Sequence, residues 1–441
     1  MSRSPIIDVF SPLPPLPTDI GNHTAGVLEA LRQMARVRVW TSQEGPVHLD
    51  MPDVEIRRFR PEAITAADLN QADATFYNLG NNARFHRDIH TVARRVPGIV
   101  ILHDTRLQHF FAAYSERPGE DRAYYLDQLE RSHGPAMRAW GEEFIEGRRD
   151  LQDLVGAATM TLAAVEGAVG AILHNEEDGA ALASKTHVPI YLQPLSFRYG
   201  PAPARPPAPA LALPASVRSR LIMFGYIGEN RRLLPILEAL ASMPDRDLYR
   251  LDIYGLVEQE REVDAAIAAA GLNSVVTRHG FVPEADLNRA LAGADLAFNL
   301  RWPSMGEASG SQLRLWSAQC PALVTKVGWY AQLPPDTVFM IDQANEHQAI
   351  IHHLRALRRT PSHYAEVGAR GRRVLEQRHS PAAYAQGLVE IASDHVAQHA
   401  RRMGHALALR AARSMLDIGT KQLALPMSAE LGRRISELTG R

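Results

Sequence analysis

Short apolar runs alternate with helical patterns along the first half of the chain. The runs IIDVFSP and VRVWTS flank the segment TAGVLEALRQMA, whose apolar residues recur at helical spacing. Strand, loop, helix and strand in this order predict a right-handed parallel β-α-β unit. Further strands are predicted at VEIRRF, ATFYNLG, GIVILHD and VGAILHN, and the helical patterns are densest from Arg106 to Ala168, which indicates an inserted helical layer.

The same alternation restarts after a segment dominated by proline and alanine, YGPAPARPPAPALALPASV. Such a segment stays extended and semi-rigid, so it predicts a linker. Beyond it, strands are predicted at RLIMFGYIG, YRLDIYG, VVTRHGFV, DLAFNLR, PALVTKVG and VFMID, with helical patterns between them. The predicted fold class is therefore α/β, with two Rossmann-like, doubly wound domains facing a cleft and a C-terminal helical extension.

The predicted boundaries divide the chain into five parts. Residues 1–200 form an N-terminal Rossmann-like domain, and 201–216 form the Pro/Ala-rich linker. Residues 217–378 form a C-terminal Rossmann-like domain. A closing helix at 379–400 is expected to pack back toward the N-terminal domain, and 401–441 is a basic helical tail. Ligands of such sheets bind beyond the carboxyl ends of the strands, so the loops there are the candidate site.

Composition narrows the class of protein. The 441 residues carry a formal net charge of -1, which argues against a nucleic-acid binder, since such proteins need a basic excess. The one cysteine, Cys320, excludes a disulfide framework and fits a reducing compartment. The N-terminal segment lacks the features of a signal peptide, and no apolar run is long enough to span a membrane. We expect a cytoplasmic protein.

Two turns of the second half carry groups suited to an anion. In FGYIGENRRLLPILEAL a strand ends at Gly225, and the loop continues through Gly228 to Arg231 and Arg232, just before an apolar helix. Cations are unfavourable at a helix N-terminus, so a bound diphosphate would account for both arginines. The alternative is a pair of solvated surface arginines.

The second turn is MGEASGSQLR. Ser309, Gly310 and Ser311 would present N–H and hydroxyl donors at the start of a helix, where an anion binds. Glu307 beside them could accept hydrogen bonds from sugar hydroxyls. The alternative is an ordinary N-cap with a nearby acidic residue.

The first half offers four candidate segments, three at a predicted strand end or loop and one in the predicted helical layer. Gly21, with Asn22 and His23, lies in a loop that we expect to precede a helix, and its backbone could approach an anion, although Asn22 or Thr24 could merely cap that helix. His103 and Asp104 close the strand GIVILHD, where a histidine could donate to a substrate or act as acid or base. Residues 78–84, which include Asn81, and 106–147 supply polar side chains beyond the next predicted strands.

Taken together, these motifs resemble those of GT-B glycosyltransferases, specifically the retaining enzymes of glycosyltransferase family 4. The similarity covers about Ile6 to Ala392 and rests on SPLPPLPTDIGNHTAGVLEAL, VILHD, FGYIGENRRLLPILEAL, the stretch from HGFVPEADLNRAL to VGWYAQLP, and HSPAAYAQGLVEI. The pattern RWPSMGEASGS, followed by an arginine and VGWYAQLP, is similar to a bacterial subgroup of polysaccharide and glycan assembly.

The resemblance implies roles for the two predicted domains. Residues 1–200 would lie on the acceptor side, where 78–84 and 106–147 would form the acceptor pocket. Residues 217–378 would bind the donor.

The resemblance also implies roles for single residues. Gly21 would lie near the donor phosphate and the acceptor, His103 would contact the transferred sugar, and Arg231 would hold the diphosphate. Gly280 and Phe281 would border the nucleobase. At the position where family members place an arginine after glycine, this chain has Gly225 followed by tyrosine.

The largest departure from the family pattern is at Arg314. Members commonly carry two glutamates separated by seven residues; here Arg314 takes the second position and Gly306 the first, so Glu307 is displaced by one from the first. A guanidinium cannot accept hydrogen bonds from a ribose diol, but it can bind phosphate or pair with Glu307. We therefore expect the nucleotide to be held differently from the family pattern.

The resemblance implies a transferase that moves a sugar with retention from a nucleoside-diphosphate sugar to a glycan, a lipid-linked or a protein acceptor. His103, Glu307 and Arg231 are the expected catalytic residues. No metal or other cofactor is expected, because no cluster has the spacing of metal ligands.

Other functions remain open at this stage. A non-catalytic sugar-nucleotide-binding or scaffold subunit would have the same fold, as would an epimerase or a phosphorylase. A phosphorylase needs a lysine bound to pyridoxal phosphate, and Lys185, Lys326 and Lys421 lie in no such context. The basic tail could rest on the inner face of a membrane, pack on the N-terminal domain, or mediate homo-oligomer formation.

Overall fold

The computed structural model describes residues 4–117, 119–205, 208–209 and 212–396. The expected basic tail, 401–441, lies outside them. The chain forms two compact units. Among the described residues, the first comprises 4–196, 305–307 and 381–396, and the second comprises 197–304 and 308–380.

The first unit is built on a parallel seven-stranded sheet of order β3-β2-β1-β4-β5-β6-β7. Its strands are β1 (Ile6–Phe10), β2 (Arg36–Thr41), β3 (Glu55–Arg58), β4 (Ala74–Leu79), β5 (Ile99–Leu102), β6 (Gly170–Leu173) and β7 (Ile190–Leu192). Its helices are α1 (Asp19–Leu31), α2 (Ala66–Leu69), α3 (Ala83–Ala93), α4 (Gln108–Ala112), α5 (Glu120–His133), α6 (Pro135–Ile145), α7 (Leu151–Ala157), α8 (Thr161–Ala164) and α9 (Glu176–Ala183).

Both faces of this sheet are covered, which is why its central strands are apolar without interruption. One face packs on the helices between β4 and β6, with Phe110, Phe111 and Tyr125 in its core. The other face packs on α1 and on helix 381–396, which contributes Tyr384 and Leu388. Helix 381–396 is thus part of the first unit's core.

The second unit has a parallel six-stranded sheet of order β10-β9-β8-β11-β12-β13. Its strands are β8 (Ser219–Ile227), β9 (Tyr249–Val257), β10 (Val276–Gly280), β11 (Leu296–Phe298), β12 (Ala322–Thr325) and β13 (Phe339–Ile341). Its helices are α10 (Leu233–Ala241), α11 (Glu260–Ala269), α12 (Glu284–Gly293), α13 (Gly310–Ser317), α14 (Gly328–Ala331), α15 (Glu346–Arg359) and α16 (Pro361–Arg378).

The predicted fold class is confirmed, since both halves are parallel α/β sheets with helices on their faces. One strand was not predicted: β7 is short, half-exposed and carries no alternating pattern. Within the described residues, no helix is both long and apolar enough to cross a membrane.

Candidate functional site

The most unusual side chain at the carboxyl end of the second sheet is Arg231. It lies in a single 3-10 turn, Glu229–Arg231, directly after β8, and only 2% of its surface is exposed. Its guanidinium donates to the carbonyl of Phe224 at 2.6 Å and to Oδ1 of Asn299 at 3.1 Å. Among the described residues no carboxylate pairs with it, and its Nε has no hydrogen-bond partner. The cation is therefore buried among neutral groups.

Asn299 and Gln312 form a hydrogen-bonded group with Arg231, and they come from two further segments of the second unit. Asn299 follows β11 and donates through Nδ2 to Oε1 of Gln312 at 3.0 Å. Gln312 lies in the first turn of α13 and is fully buried, and its Nε2 has no partner within the part of the chain that the structure describes. Three loops thus converge on one buried set of donors. Neither residue was predicted from the sequence, although an uncharged polar residue directly after a buried strand was an available signal for Asn299.

Ser309 is the N-cap of α13, because its hydroxyl accepts the N–H of Gln312 at 3.0 Å. This was the alternative interpretation of the turn, and it leaves the hydroxyl proton of Ser309 able to donate. Gly310 and Ser311 form the first residues of the helix and are partly exposed. Their N–H groups have no intrahelical acceptor, as at every helix start.

Arg232 does not need an external anion, contrary to the argument from helix polarity. It caps α10 in the left-handed conformation, with φ of 64°. Its guanidinium forms a double hydrogen bond with the carboxylate of Glu346, at 2.7 and 3.0 Å, and Glu346 is 5% exposed. The counter-charge comes from a residue more than a hundred positions away, which the sequence pattern could not show.

Arg314 is likewise held inside the second unit. It donates to Oε1 of Glu284 at 3.0 Å and to Oδ1 of Asn288 at 3.2 Å, both on α12, and its guanidinium lies 5.9 Å from the ring centroid of Phe197. Its proposed partners were phosphate or Glu307. The ion pair with Glu284 balances the charge of Arg314 locally. The arginine that replaces the family's second glutamate therefore serves the contact between α12 and α13.

The remaining candidates of the second unit surround the ends of β8, β9 and β10. Gly225 and Gly280 have φ of 105° and 64°, which favours glycine at both positions. A side chain on Gly228 would meet Oε2 of Glu258 at 2.6 Å. Phe281 is 85% exposed, so its ring is available to a ligand.

In the first unit, His103 belongs to a buried group of aromatic rings. Its ring centroid lies 5.2 Å from those of His23 and His174, and Tyr384 contacts His23 edge-on at 5.0 Å. Burial, together with the neighbouring histidines His174, His23 and His86, lowers the pKa of His103 well below its ordinary value. A role as a proton donor near neutral pH is therefore disfavoured.

The hydrogen bonds of His103 fix its tautomer. Nε2 lies 2.8 Å from Oδ1 of Asn78, while Nδ2 of Asn78 donates to the carbonyl of Phe10 at 3.1 Å. Because the oxygen of Asn78 faces the ring, Nε2 carries the proton and donates, and Nδ1 keeps its lone pair. His103 can thus accept a hydrogen bond through Nδ1, while its lowered pKa disfavours uptake of a proton there. Asn78 is the first residue of the expected segment 78–84, and it lies inside the buried strand β4, where its side chain holds His103.

The segment around Gly21 is helical, so the prediction of a loop there is wrong. Helix α1 begins at Asp19, with Thr18 as N-cap, and Gly21, Asn22 and His23 lie in its first turns. Neither Asn22 nor Thr24 caps it; the hydroxyl of Thr24 lies 2.8 Å from that of Ser11. A side chain on Gly21 would crowd the carbonyl of Pro12 at 3.2 Å, so the glycine permits close packing.

His23 belongs to this helix and is half-buried. Its Nε2 lies 3.0 Å from the hydroxyl of Ser196, and burial lowers its pKa to about 3. The imidazole is therefore neutral at physiological pH. It supports the ring of His103 as part of the packed group.

Asp104 and Glu307 form a pair of carboxyl groups in the first unit. Residues 305–307 are held there because the N–H groups of Thr105 and Arg106 donate to the carbonyl of Met305, at 3.2 and 3.0 Å. Oε2 of Glu307 accepts the N–H of Met305 at 2.8 Å. Burial, and then the charge of Glu307, raise the pKa of Asp104 to about 7. This pair can hold a proton near neutral pH.

Asn81 is fixed beside Asp104. Its backbone N–H donates to Oδ2 of Asp104 at 2.7 Å, and its side chain accepts from the N–H of Phe110 at 3.0 Å. Its Nδ2 donates to Nδ1 of His109 at 3.2 Å. The structure thus brings the first-unit candidates His23, His103, Asp104, Asn81 and Glu307 to neighbouring positions after β4 and β5.

No protein-family model matches the sequence, and no curated protein does. Solved structures are similar in fold. The sucrose-phosphate synthase of Thermosynechococcus elongatus is 13% identical with a TM-score of 0.60, over 89% of this chain and 99% of that one. Anabaena HepE in complex with UDP-glucose is 13% identical with a TM-score of 0.58, over 88% and 100%.

A third structure is WaaG, a glycosyltransferase involved in lipopolysaccharide biosynthesis. It is 15% identical with a TM-score of 0.53, over 88% of this chain and 99% of that one. At such identities the similarity shows the fold. The chain therefore has the GT-B fold that the resemblance predicted.

Proposed function

We propose that this protein transfers a glycosyl unit from a nucleoside-diphosphate sugar to an acceptor hydroxyl. One observation carries the proposal: Arg231 is 2% exposed and has only neutral partners among the described residues. A buried charge without a counter-ion destabilises the folded protein. Such a charge is typical of functional sites, where a ligand supplies the opposite charge. A diphosphate is an anion of the right charge and hydrogen-bonding capacity.

The surroundings of Arg231 support a nucleotide. Gln312 adds a buried amide whose Nε2 has no partner among the described residues, and Ser309 to Ser311 add hydroxyl and helix N–H groups. The exposed ring of Phe281 and the open backbone at Gly280 are the proposed base site. In the same fold, HepE has been solved with UDP and UDP-glucose.

The first unit would then orient the sugar and receive the acceptor. Nδ1 of His103 and the carboxyl oxygens of Glu307 and Asp104 can accept hydrogen bonds from hydroxyl groups. In the proposed reaction the bond from the anomeric carbon to the diphosphate breaks, and the acceptor oxygen bonds to the same face of that carbon, so configuration is retained. The acceptor proton passes to the leaving diphosphate, whose growing charge Arg231 stabilises.

The test is turnover of a panel of sugar nucleotides based on uracil, guanine and adenine, with and without oligosaccharide acceptors. The expected result is release of nucleoside diphosphate coupled to a new glycosidic bond, with the donor's anomeric configuration in the product by NMR. Arg231→Met should lower kcat about 10²-fold to 10³-fold, as loss of one such donor does.

Arg289→Met is the matched control, because Arg289 belongs to the same unit and its side chain is 77% exposed. This variant should keep wild-type turnover. Binding of a sugar nucleotide without any turnover would contradict the proposal and identify a non-catalytic binding subunit.

A further inference from the structure

The first unit contains a cavity of about 580 Å³ that no step above has used. It lies between the residues that follow β4 and the start of the helical layer after β5. Its lining consists of Asn81, Asn82, Ala83, Arg84, Arg87, Asp88, His109, Ala113, Glu116 and Arg117. These residues come from the two segments, 78–84 and 106–147, in which an acceptor pocket was expected, and from the helix that follows the first of them.

The lining has an unusual chemistry for a ligand site. Ligand pockets are mostly apolar, whereas among the described residues that line this cavity the apolar side chains are those of Ala83 and Ala113. An aliphatic chain placed here would desolvate charged groups without compensation. The cavity therefore disfavours a lipid tail.

The charges of the lining balance. The cations of Arg84 and Arg117 stand against the anions of Asp88 and Glu116, and Arg87 pairs with Asp121 at 2.8 Å. Burial lowers the pKa of His109, which favours its neutral form. The cavity thus offers donors and acceptors in similar measure and no net charge that would select an anion.

Parts of the wall are rigid. The guanidinium of Arg87 lies 4.3 Å from the ring centroid of Tyr114 and donates to Asp121. Asn81 is held by Phe110 and His109, as described above. Groups that are fixed before binding lose little conformational entropy when a ligand arrives.

We propose that this cavity binds the acceptor and that the acceptor is a neutral carbohydrate; the assignment of the ligand as acceptor rests on the proposed glycosyl transfer. Sugar hydroxyls both donate and accept, which matches alternating guanidinium, amide and carboxylate groups. The cavity volume falls in the range of small-molecule sites and accommodates a mono- or disaccharide. Asn81 connects the cavity to the reacting groups, since its N–H binds Asp104 at 2.7 Å.

The test uses two exposed residues of the lining, Glu116 and Arg117, which make no side-chain bond to another described residue. Binding of maltose, lactose and N,N′-diacetylchitobiose to the full chain is measured by saturation-transfer NMR. Glu116→Ala and Arg117→Ala should each weaken binding of the saccharide that binds wild type about tenfold, as loss of a hydrogen bond to a charged group does. Arg148→Ala, an exposed arginine of the same unit outside the cavity, should change nothing.

UDP binding, measured by thermal shift on the same variants, separates this inference from the proposed function. Saccharide binding lost in both cavity variants, with UDP binding kept, supports the carbohydrate site. The protein could also bind saccharides through these residues and turn over no sugar nucleotide. That result would support the carbohydrate site and contradict the proposed glycosyl transfer.

Three results would overturn the carbohydrate site. The first is that both variants bind the saccharide as tightly as wild type, or transfer to it with an unchanged KM. The second is that the cavity binds inorganic phosphate and no saccharide. The third is that the protein binds phosphatidylglycerol vesicles and that this binding depends on Arg117.

Discussion

Asp104 shows how the residues around one carboxyl group set its protonation. It lies directly after β5, accepts the N–H of Asn81, and faces the carboxylates of Glu307 and Asp19. Burial and these like charges favour the neutral form, while the hydrogen bond from Asn81 opposes them, and its pKa rises to about 7. In the proposed reaction a carboxyl group in this state can hold a hydroxyl of the sugar as donor or acceptor.

The raised pKa makes a prediction about stability. The pKa of Asp104 in the folded protein is near 7, above the ordinary value of 3.8. The contribution of this carboxyl group to the free energy of unfolding is therefore complete below about pH 4 and is lost as the pH rises through 7. Asp104→Asn imitates the neutral carboxyl and should lack this loss. The urea midpoint of the variant should therefore exceed that of wild type by more at pH 8 than at pH 5.

The exposed carboxyl of Asp50 provides the control for this measurement. Asp50→Asn should shift the urea midpoint by the same small amount at both pH values. A difference between Asp104→Asn and wild type that does not change with pH would show that Asp104 titrates in its ordinary range.

At the scale of elements, the short segment Met305–Glu307 is held to the first unit by geometry that only glycine allows. Gly306 has φ of 73°, and a side chain there would overlap Oγ1 of Thr105, which itself donates to Asp178 at 2.6 Å. The close approach lets the carbonyl of Met305 accept two N–H groups. Gly306 therefore positions Glu307.

Gly306→Ala should displace this segment. The left-handed backbone and the overlap together are expected to cost roughly 1–3 kcal/mol or more, and turnover should fall because Glu307 moves. Gly156→Ala is the control: Gly156 lies in α7 with no atom near the added methyl group, so stability should stay the same or rise. Equal unfolding temperatures for the two variants would refute this role of Gly306.

Elements were more predictable from the sequence than side-chain partners. The buried strands were recognisable because parallel strands covered on both faces are continuous apolar runs bounded by turns. The start of α1 was not, because Gly21 and Asn22 suggested a loop while tertiary packing against Pro12 extended the helix to Asp19. The partners Glu346 of Arg232 and Glu284 of Arg314 are set by the packing of distant helices, which no local pattern encodes.

At the scale of the whole molecule, the fold persists where the sequence has diverged. The structures with the same fold share 13% to 15% identity with this chain over 88% or more of its length. Packing of apolar runs tolerates such divergence, since many apolar sequences fill the same sheet. A buried arginine among neutral partners is not explained by packing, and this is why Arg231 carries the functional account.

Calorimetric titration of the intact protein with UDP, GDP and ADP tests that account most directly. At least one nucleoside diphosphate should bind to wild type and to Arg289→Met with equal affinity. It should bind about 10²-fold more weakly to Arg231→Met, because this variant loses a charge-assisted contact with the diphosphate. Equal affinity of Arg231→Met and wild type, or no binding of any of the three, would contradict it.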